Sequence, residues 1–221
     1  MLADGKAFND MILNEEVLLS LKGKKLLNAS TTSIDEIIKF NNVINKYGGN
    51  LAEISIMVGS EQLSSQQASF LLGCDDCEEK FWTEILKDVG SVLRVGNISD
   101  ATKVETPIVF ASVFSSVMMA YAGVALLKLN IINENGIDMV KNMIPGSEYL
   151  LPNLLKRNYN ECIASTDSLI GVVDVAINTS RKLGIPSKIF ENIKELYVKT
   201  SEMGYGKKDA SSLVETLLNF R

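Results

Sequence analysis

No histidine occurs among the 221 residues. That removes the most frequent general base, together with any Ser-His-Asp triad, Cys-His pair or histidine-ligated metal site. Proton transfer in this chain must fall to Lys, Asp, Glu, Tyr or Cys. Of the three cysteines, Cys74 and Cys77 form Cys74-Asp-Asp-Cys77, the spacing of a zinc or redox half-site. No second pair completes it, and the two intervening acids oppose the thiolate that either chemistry needs. Cys162 stands alone. An odd, small number of cysteines reads as reduced thiols in a cytosolic protein, and no metal site is expected.

The elements that must position any chemistry follow from patterning. A chain of this length, 46% apolar and 22% charged, can bury a sizeable core and is not a disordered sequence. Its net charge of −5 offers no general attraction to nucleic acid. Met1–Asp10 holds no basic region followed by an apolar stretch, so a cytoplasmic location is expected. Before residue 100, Lys24–Asn28, Leu51–Val58, Ser69–Gly73 and Ser91–Val95 read as strands. Ala7–Leu21, Ser33–Tyr47 and Asp76–Val89 have helical spacing, with Ser33 and Glu36 forming a capping box and Gly48-Gly49 a stop. After residue 100 the pattern is helical. Its first segment, about Asp100 to Leu129, includes 22 consecutive uncharged residues from Thr106 to Leu127. That is long enough to span a bilayer. Ser112, Ser115, Ser116, Tyr121 and Gly123 dilute it, however, and its flanks carry no one-sided basic excess, so a buried helix rather than a membrane span is expected. Further helices are read at Asn135–Met143, Tyr149–Lys156, Thr166–Leu183, Pro186–Met203 and Lys208–Phe220. The fold class is α/β plus all-α: an α/β portion over 1–99, then an all-helical portion over 100–221 built on one long helix.

Several stretches, taken in order, resemble the β-hydroxyacid dehydrogenases, the family of 3-hydroxyisobutyrate dehydrogenase and tartronate semialdehyde (glyoxylate) reductase. The opening through Asn28-Ala29-Ser30-Thr31 is similar to the family's fourth Rossmann strand and its Asp-x-Ser-Thr turn. GGNLAEISIMVGS resembles its substrate loop, Gly-Gly-x-x-Leu-(Asp/Glu)-Ala-Pro-Val-Ser-Gly-(Gly/Ser). SVLRVG followed by Lys103 is similar to the strand, turn and catalytic-lysine helix. LGIPSKIF and GYGKKDASSLVETL resemble the closing helices. The resemblance implies a truncated Rossmann-like domain and a helical dimerisation domain, NAD or NADP as cofactor, and interconversion of a small hydroxyacid with its carbonyl. It also implies a homodimer or higher homo-oligomer through the long helix. Lys103 then stands as general acid/base, Thr31 at the nicotinamide ribose, Asp174 at the cofactor, and Gly59, Ser60 and Thr106 at the substrate.

The sequence also departs from the pattern. The family's Gly-x-Gly-x-x-Gly turn, which cradles the pyrophosphate at a helix N-terminus, does not occur here. Thr106-Pro107 replaces an asparagine after the lysine, and Val173 replaces a lysine before Asp174. Met57-Val58 stands where the substrate loop has Val-Ser. Two expectations follow: an NAD(P)-dependent oxidoreductase, or a non-catalytic dimeric relative that serves as a binding or structural module.

Overall fold

The structure is a computed structural model that describes residues 5–57, 68–130, 134–143, 151 and 154–220. The chain divides into two compact units, residues 1–108 and 109–221.

In the first unit, helices α1 (Gly5–Ile12) and α2 (Glu15–Ser20) precede β1 (Lys25–Asn28). The single helix read over Ala7–Leu21 is two, because the Asn14 side chain accepts from Val17 N and starts a new helix. Helix α3 (Ile34–Lys46) opens on the expected capping box: Glu36 Oε2 accepts from Ser33 N at 2.8 Å and Ser33 Oγ from Glu36 N at 3.4 Å. It stops at Gly48, whose φ of +76° suits glycine. There follow β2 (Asn50–Ile56), β3 (Ala68–Gly73), α4 (Glu79–Leu86) and β4 (Gly90–Gly96). The sheet order is β1-β2-β3-β4, with β1 parallel to β2, β2 antiparallel to β3, and β3 parallel to β4.

Strand β2 is buried on both faces, which explains its near-continuous apolar run. Ala52 and Ile54 pack with Phe70, Leu72, Trp82 and Leu86 on one side. Leu51 packs with Ile37, Phe40 and Ile44 of α3 on the other, where Phe8 stacks on Phe40 at 4.5 Å. Glu53 and Ser55 share the face of Leu51 by the two-residue period of a strand.

The long helix, α5 (Asp100–Lys128), begins in this unit and continues into the second. Among the described residues it alone is long and apolar enough to cross a bilayer by length and composition. Within the second unit, however, it supplies core: Val109, Val113, Met119, Ala120 and Leu126 are buried with residues of the later helices. Those are α6 (Glu134–Met143), α7 (Thr166–Lys182), α8 (Lys188–Thr200) and α9 (Leu213–Leu218). Half of the helix expected over Tyr149–Lys156 lies outside the described residues, and Leu151 and 154–156 are helical. The last helix is shorter than Lys208–Phe220. Asp209 accepts from Ser211 N and opens a 3-10 turn over Ala210–Ser212, ahead of α9.

Helix α9 is the centre of this unit, with Leu213, Val214, Glu215, Thr216 and Leu217 all buried. Glu215 is a charge in that core. Its Oε1 accepts from Arg157 Nε and from Tyr159 Oη, each at 2.7 Å, and Arg157 Nη2 bonds Oε2. The bond from Arg157 holds its carboxyl below the usual glutamate range, against the effect of burial. Replacing Glu215 with Ala strands the Tyr159 hydroxyl and one face of the guanidinium. A loss of about 3 kcal/mol in urea unfolding is expected, and Arg157→Ala is expected to cost a comparable amount because it leaves the buried Glu215 carboxylate without its cation. The wild-type contribution is present above the ordinary glutamate value near 4.5. It fades as pH falls through the depressed folded value, and Glu215→Gln abolishes that dependence.

Candidate functional site

The site is built around the start of α5. Strand β4 ends in a register shift opposite Leu72/Gly73 that pairs Gly73 with Gly96. Gly96 has φ +148°, and a Cβ there would run into the Asp100 carboxylate. Asp100 Oδ2 accepts from Asn97 N at 2.9 Å, so Asp100 turns the chain from strand into helix. Ser99, buried, takes φ +80°, a costly backbone for a residue with a Cβ.

That conformation is held by Glu53. Its carboxylate, 2% exposed, reaches from the middle of β2 to the head of α5. Oε1 accepts from Ala101 N at 3.0 Å and Thr102 N at 3.4 Å, and Oε2 from Thr102 Oγ1 at 2.7 Å. Glu53 thus supplies the anion that a helix N-terminus attracts. Gly73 makes room for it, since a Cβ would lie 2.6 Å from Oε1 and 2.9 Å from Asn97 O. Two residues along β2, Ser55 Oγ donates to Glu105 Oε2 at 2.8 Å and ties down the next turn. Burial pushes both carboxyls up, at Glu53 against the bonds from Thr102, Ala101 and Ser99, and at Glu105 against that from Ser55.

Lys103 lies directly after the residues Glu53 holds. Its Nζ meets Asp100 Oδ1 at 2.7 Å, and its side chain is 53% exposed. That bond holds the Asp100 carboxyl below its ordinary value. Thr106 stands one turn further on, half-buried, its hydroxyl donating to the Thr102 carbonyl at 2.9 Å. Pro107 has no N–H to return to the Lys103 carbonyl, so that helical bond is missing beside the lysine. The structure therefore brings Lys103, Thr106 and Asp100 together.

Thr31 sits past the end of β1, where Asn28 Oδ1 accepts from Ser30 N at 3.2 Å and the turn leads into the Ser33 cap. Gly59 and Ser60 lie outside the described residues. Asp174 belongs to the second unit, on α7. There its two carboxylate oxygens take Lys194 Nζ at 2.7 and 2.9 Å, at the edge of an open groove of about 580 Å³ between α7 and α8. Val173, beside it, is wholly buried in the core. Cys74 is buried and Cys77 exposed; burial, foremost, raises the Cys74 thiol, although Arg94 donates to that residue.

The donor set for a dinucleotide can be tested on the three strand-to-helix turns of the first unit. The one into α3 is closed by Glu36 on Ser33 and carries Asp35 in its first turn. The one into α4 carries Asp76, Glu78 and Glu79. The one into α5 is filled by Glu53 and Asp100. A pyrophosphate does not fit the first and last of these, where carboxylates stand against the N–H groups that a phosphate needs, and the acids around the α4 start repel its charge. At the starts of α3 and α5, then, the described residues leave no free N–H groups for a pyrophosphate, while the lysine expected to handle a substrate proton is held in place.

Sequence patterning did not single out Glu53 as functional. Its signal was a lone acid inside the apolar run LAEISIMV, and an unpaired charge in a strand buried on both faces needs a partner. The raised carboxyls have a measurable consequence. Each group binds its proton more tightly folded than unfolded, so stability falls as pH rises from the ordinary glutamate value near 4.5 through the raised folded values. Glu53→Gln and Glu105→Gln are each expected to flatten that fall in thermal melts across this window. Glu53→Ala leaves the Ala101 and Thr102 donors empty and is expected to cost about 1–3 kcal/mol. Amide exchange at those positions should speed up, and added acetate should restore protection in this variant alone.

No protein-family model matches the chain, and no curated protein matches it in sequence. Its backbone is similar to solved structures. The 3-hydroxyisobutyrate dehydrogenase of Salmonella typhimurium superposes with a TM-score of 0.83 at 14% identity, over 97% of this chain and 76% of that one. The 3-hydroxyisobutyrate dehydrogenase of Mycobacterium tuberculosis, solved with L-serine, gives 0.76 at 14% identity, over 98% and 77%. An imine reductase of Myxococcus stipitatus, solved with NADP+, gives 0.54 at 16% identity, over 96% and 76%. At such identities the likeness establishes the fold: the chain has the Rossmann-like and helical architecture of these dehydrogenases and reductases.

Proposed function

We propose that this chain is an oxidoreductase of the β-hydroxyacid dehydrogenase type, acting on a small hydroxyacid or the related carbonyl, with Lys103 as its proton carrier. The observation that carries the reading is the amine of Lys103, fixed one residue past a helix start that Glu53 ties to the sheet. An ammonium in that position can give a proton to a carbonyl oxygen as it becomes a hydroxyl, and an amine can take it back. Thr106, one turn away on the same helix, is suited to contact the substrate. Gly59 and Ser60, next in chain after β2, complete the proposed substrate set. NAD or NADP is the cofactor the resemblance implies, with Thr31 and Asp174 as its proposed contacts. The acidic helix starts argue that the described residues grip it weakly.

A second reading is favoured by that same acidity. A chain that fills the helix starts after β1 and β4 with its own carboxylates suits a non-catalytic dimeric module. The test is turnover of 3-hydroxyacids under excess NAD or NADP, paired with a nicotinamide-fluorescence titration. Lys103→Ala is expected to lower turnover by about 10²–10⁴-fold while leaving stability within about 0.5 kcal/mol. Lys103→Arg should also fail, because guanidinium keeps its proton. Lys128→Ala, at the far end of α5, should be silent. The dissociation constant is expected well above 1 µM, the value worth about −8 kcal/mol. No turnover at saturating cofactor, or unchanged turnover in Lys103→Ala, removes the first reading.

We also propose that the chain is a homodimer or higher homo-oligomer through α5. Within the second unit, Ala111, Phe114, Met118, Tyr121 and Ala125 are exposed at helical spacing, with Phe114, Met118 and Tyr121 at 39, 45 and 55%. An apolar stripe of this kind along one helix is suited to cover by a second copy. Met118→Glu is expected to shift light scattering toward a folded smaller species. Met119→Glu, one residue on and 1% exposed, should instead unfold the unit.

A further inference from the structure

Within the second unit, a cavity of about 140 Å³ lies among Ser116 and Met119 of α5, Leu154, Leu169 of α7, and Asp209 and Ser211 ahead of α9. Its lining is mixed: Met119 and Leu154, each 1% exposed, and Leu169 are apolar, while Asp209 brings a carboxylate and Ser116 and Ser211 bring hydroxyls.

Asp209 is 6% exposed. It accepts three hydrogen bonds, all from neutral donors: Ile163 N at 3.0 Å on Oδ2, and Ser211 N at 3.0 Å and Ser211 Oγ at 2.6 Å on Oδ1. A carboxylate has about four acceptor positions, so one remains on Oδ2. Among the described residues it has no cationic partner, and the neighbouring Lys208 amine is bonded to Asn160. Its charge is felt locally. At Cys162 it adds to burial in raising the thiol, and at Tyr197 burial and the Asp209 charge raise the phenol, with Ser116 opposing. A buried carboxylate without a counter-charge is costly, and neutral donors only partly offset it.

We infer that this cavity is a binding site for a small aliphatic ammonium ion. The head group takes the open position on Asp209 and the Ser116 hydroxyl, and the alkyl tail lies along Met119, Leu154 and Leu169. Size fits this class: a cavity of about 150 Å³ holds a molecule of benzene size, about six heavy atoms. A hydrated divalent metal does not suit it, since one carboxylate and two hydroxyls fall short of the six or more oxygens such ions take. The site stands on these residues alone and is independent of the role of Lys103.

Calorimetry on the full chain with n-butylammonium chloride, against n-butanol, butyrate and sodium chloride, tests it. Saturable butylammonium binding is expected, with a shift of the Met119 methyl resonance. n-Butanol should bind about tenfold more weakly, as a neutral replaces a charge-assisted bond. Butyrate should not bind. Asp209→Asn should abolish the preference for the ammonium. Because Asp209 also opens the turn before α9, a second variant is needed: Ala164→Leu fills the lining from another side and leaves Asp209 intact. It should abolish binding of both compounds. The inference is overturned by no saturation at about 10 mM, ten times a constant worth about −4 kcal/mol. Equal binding of butanol, or binding that survives Ala164→Leu, also overturns it.

Discussion

One buried carboxylate sets the geometry of the first unit. Glu53 leaves the middle of a strand covered on both faces and ends on the first amides of a 29-residue helix. The bond is charge-assisted and shielded from water, so it is strong, and it is also costly to leave unmade. Three other features make sense only with it in place. Gly73 leaves the space, Ser99 accepts a backbone conformation that a free chain avoids, and Asp100 is freed to hold Lys103. A salt bridge of Lys103 with Asp100 three residues back would be ordinary on any helix. Here the helix start cannot move, so the amine has a fixed origin.

Much of this architecture was legible in residue patterning. The four strands, the Ser33–Glu36 box, the stop at Gly48 and the long helix from Asp100 all follow from local rules. These features depend on neighbours a few residues apart. The parallel and antiparallel order of the strands does not, and neither does the partner of Glu53, about fifty residues away in the chain. Patterning also merged α1 and α2, because a capping asparagine inside an amphipathic run does not disturb its periodicity. At the candidate site, Lys103 was found through resemblance and not through its own chemistry. A lysine in the first turn of an apolar helix looks the same whether it serves solvent or substrate. Asp174 was placed at the cofactor by position, whereas its carboxylate is engaged by Lys194 from the next helix, a pairing that spacing cannot reveal.

The two units handle buried charge differently. Glu53 is met by backbone dipoles and a hydroxyl and, among the described residues, by no cation; Glu215 is met by a guanidinium in fork geometry together with a phenol. Burial wins at the first and the carboxyl rises; the cation wins at the second and the carboxyl falls. Acidification therefore acts in opposite senses on the two, relieving the sheet-to-helix junction while loosening the helical core. A single melting curve at low pH would merge two unlike events.

The core of the second unit has a further consequence for how the chain is made. Val113 on the long helix shares that core with Leu213, about a hundred residues later in sequence. On a ribosome adding about 5–20 residues per second, the apolar helix emerges roughly 5–20 s before its last partners exist. During that interval it is an uncovered hydrophobic rod of membrane-spanning length. Its fate then is decided by whatever meets it first: a chaperone, a second nascent copy, or the machinery that reads apolar segments as signals for insertion.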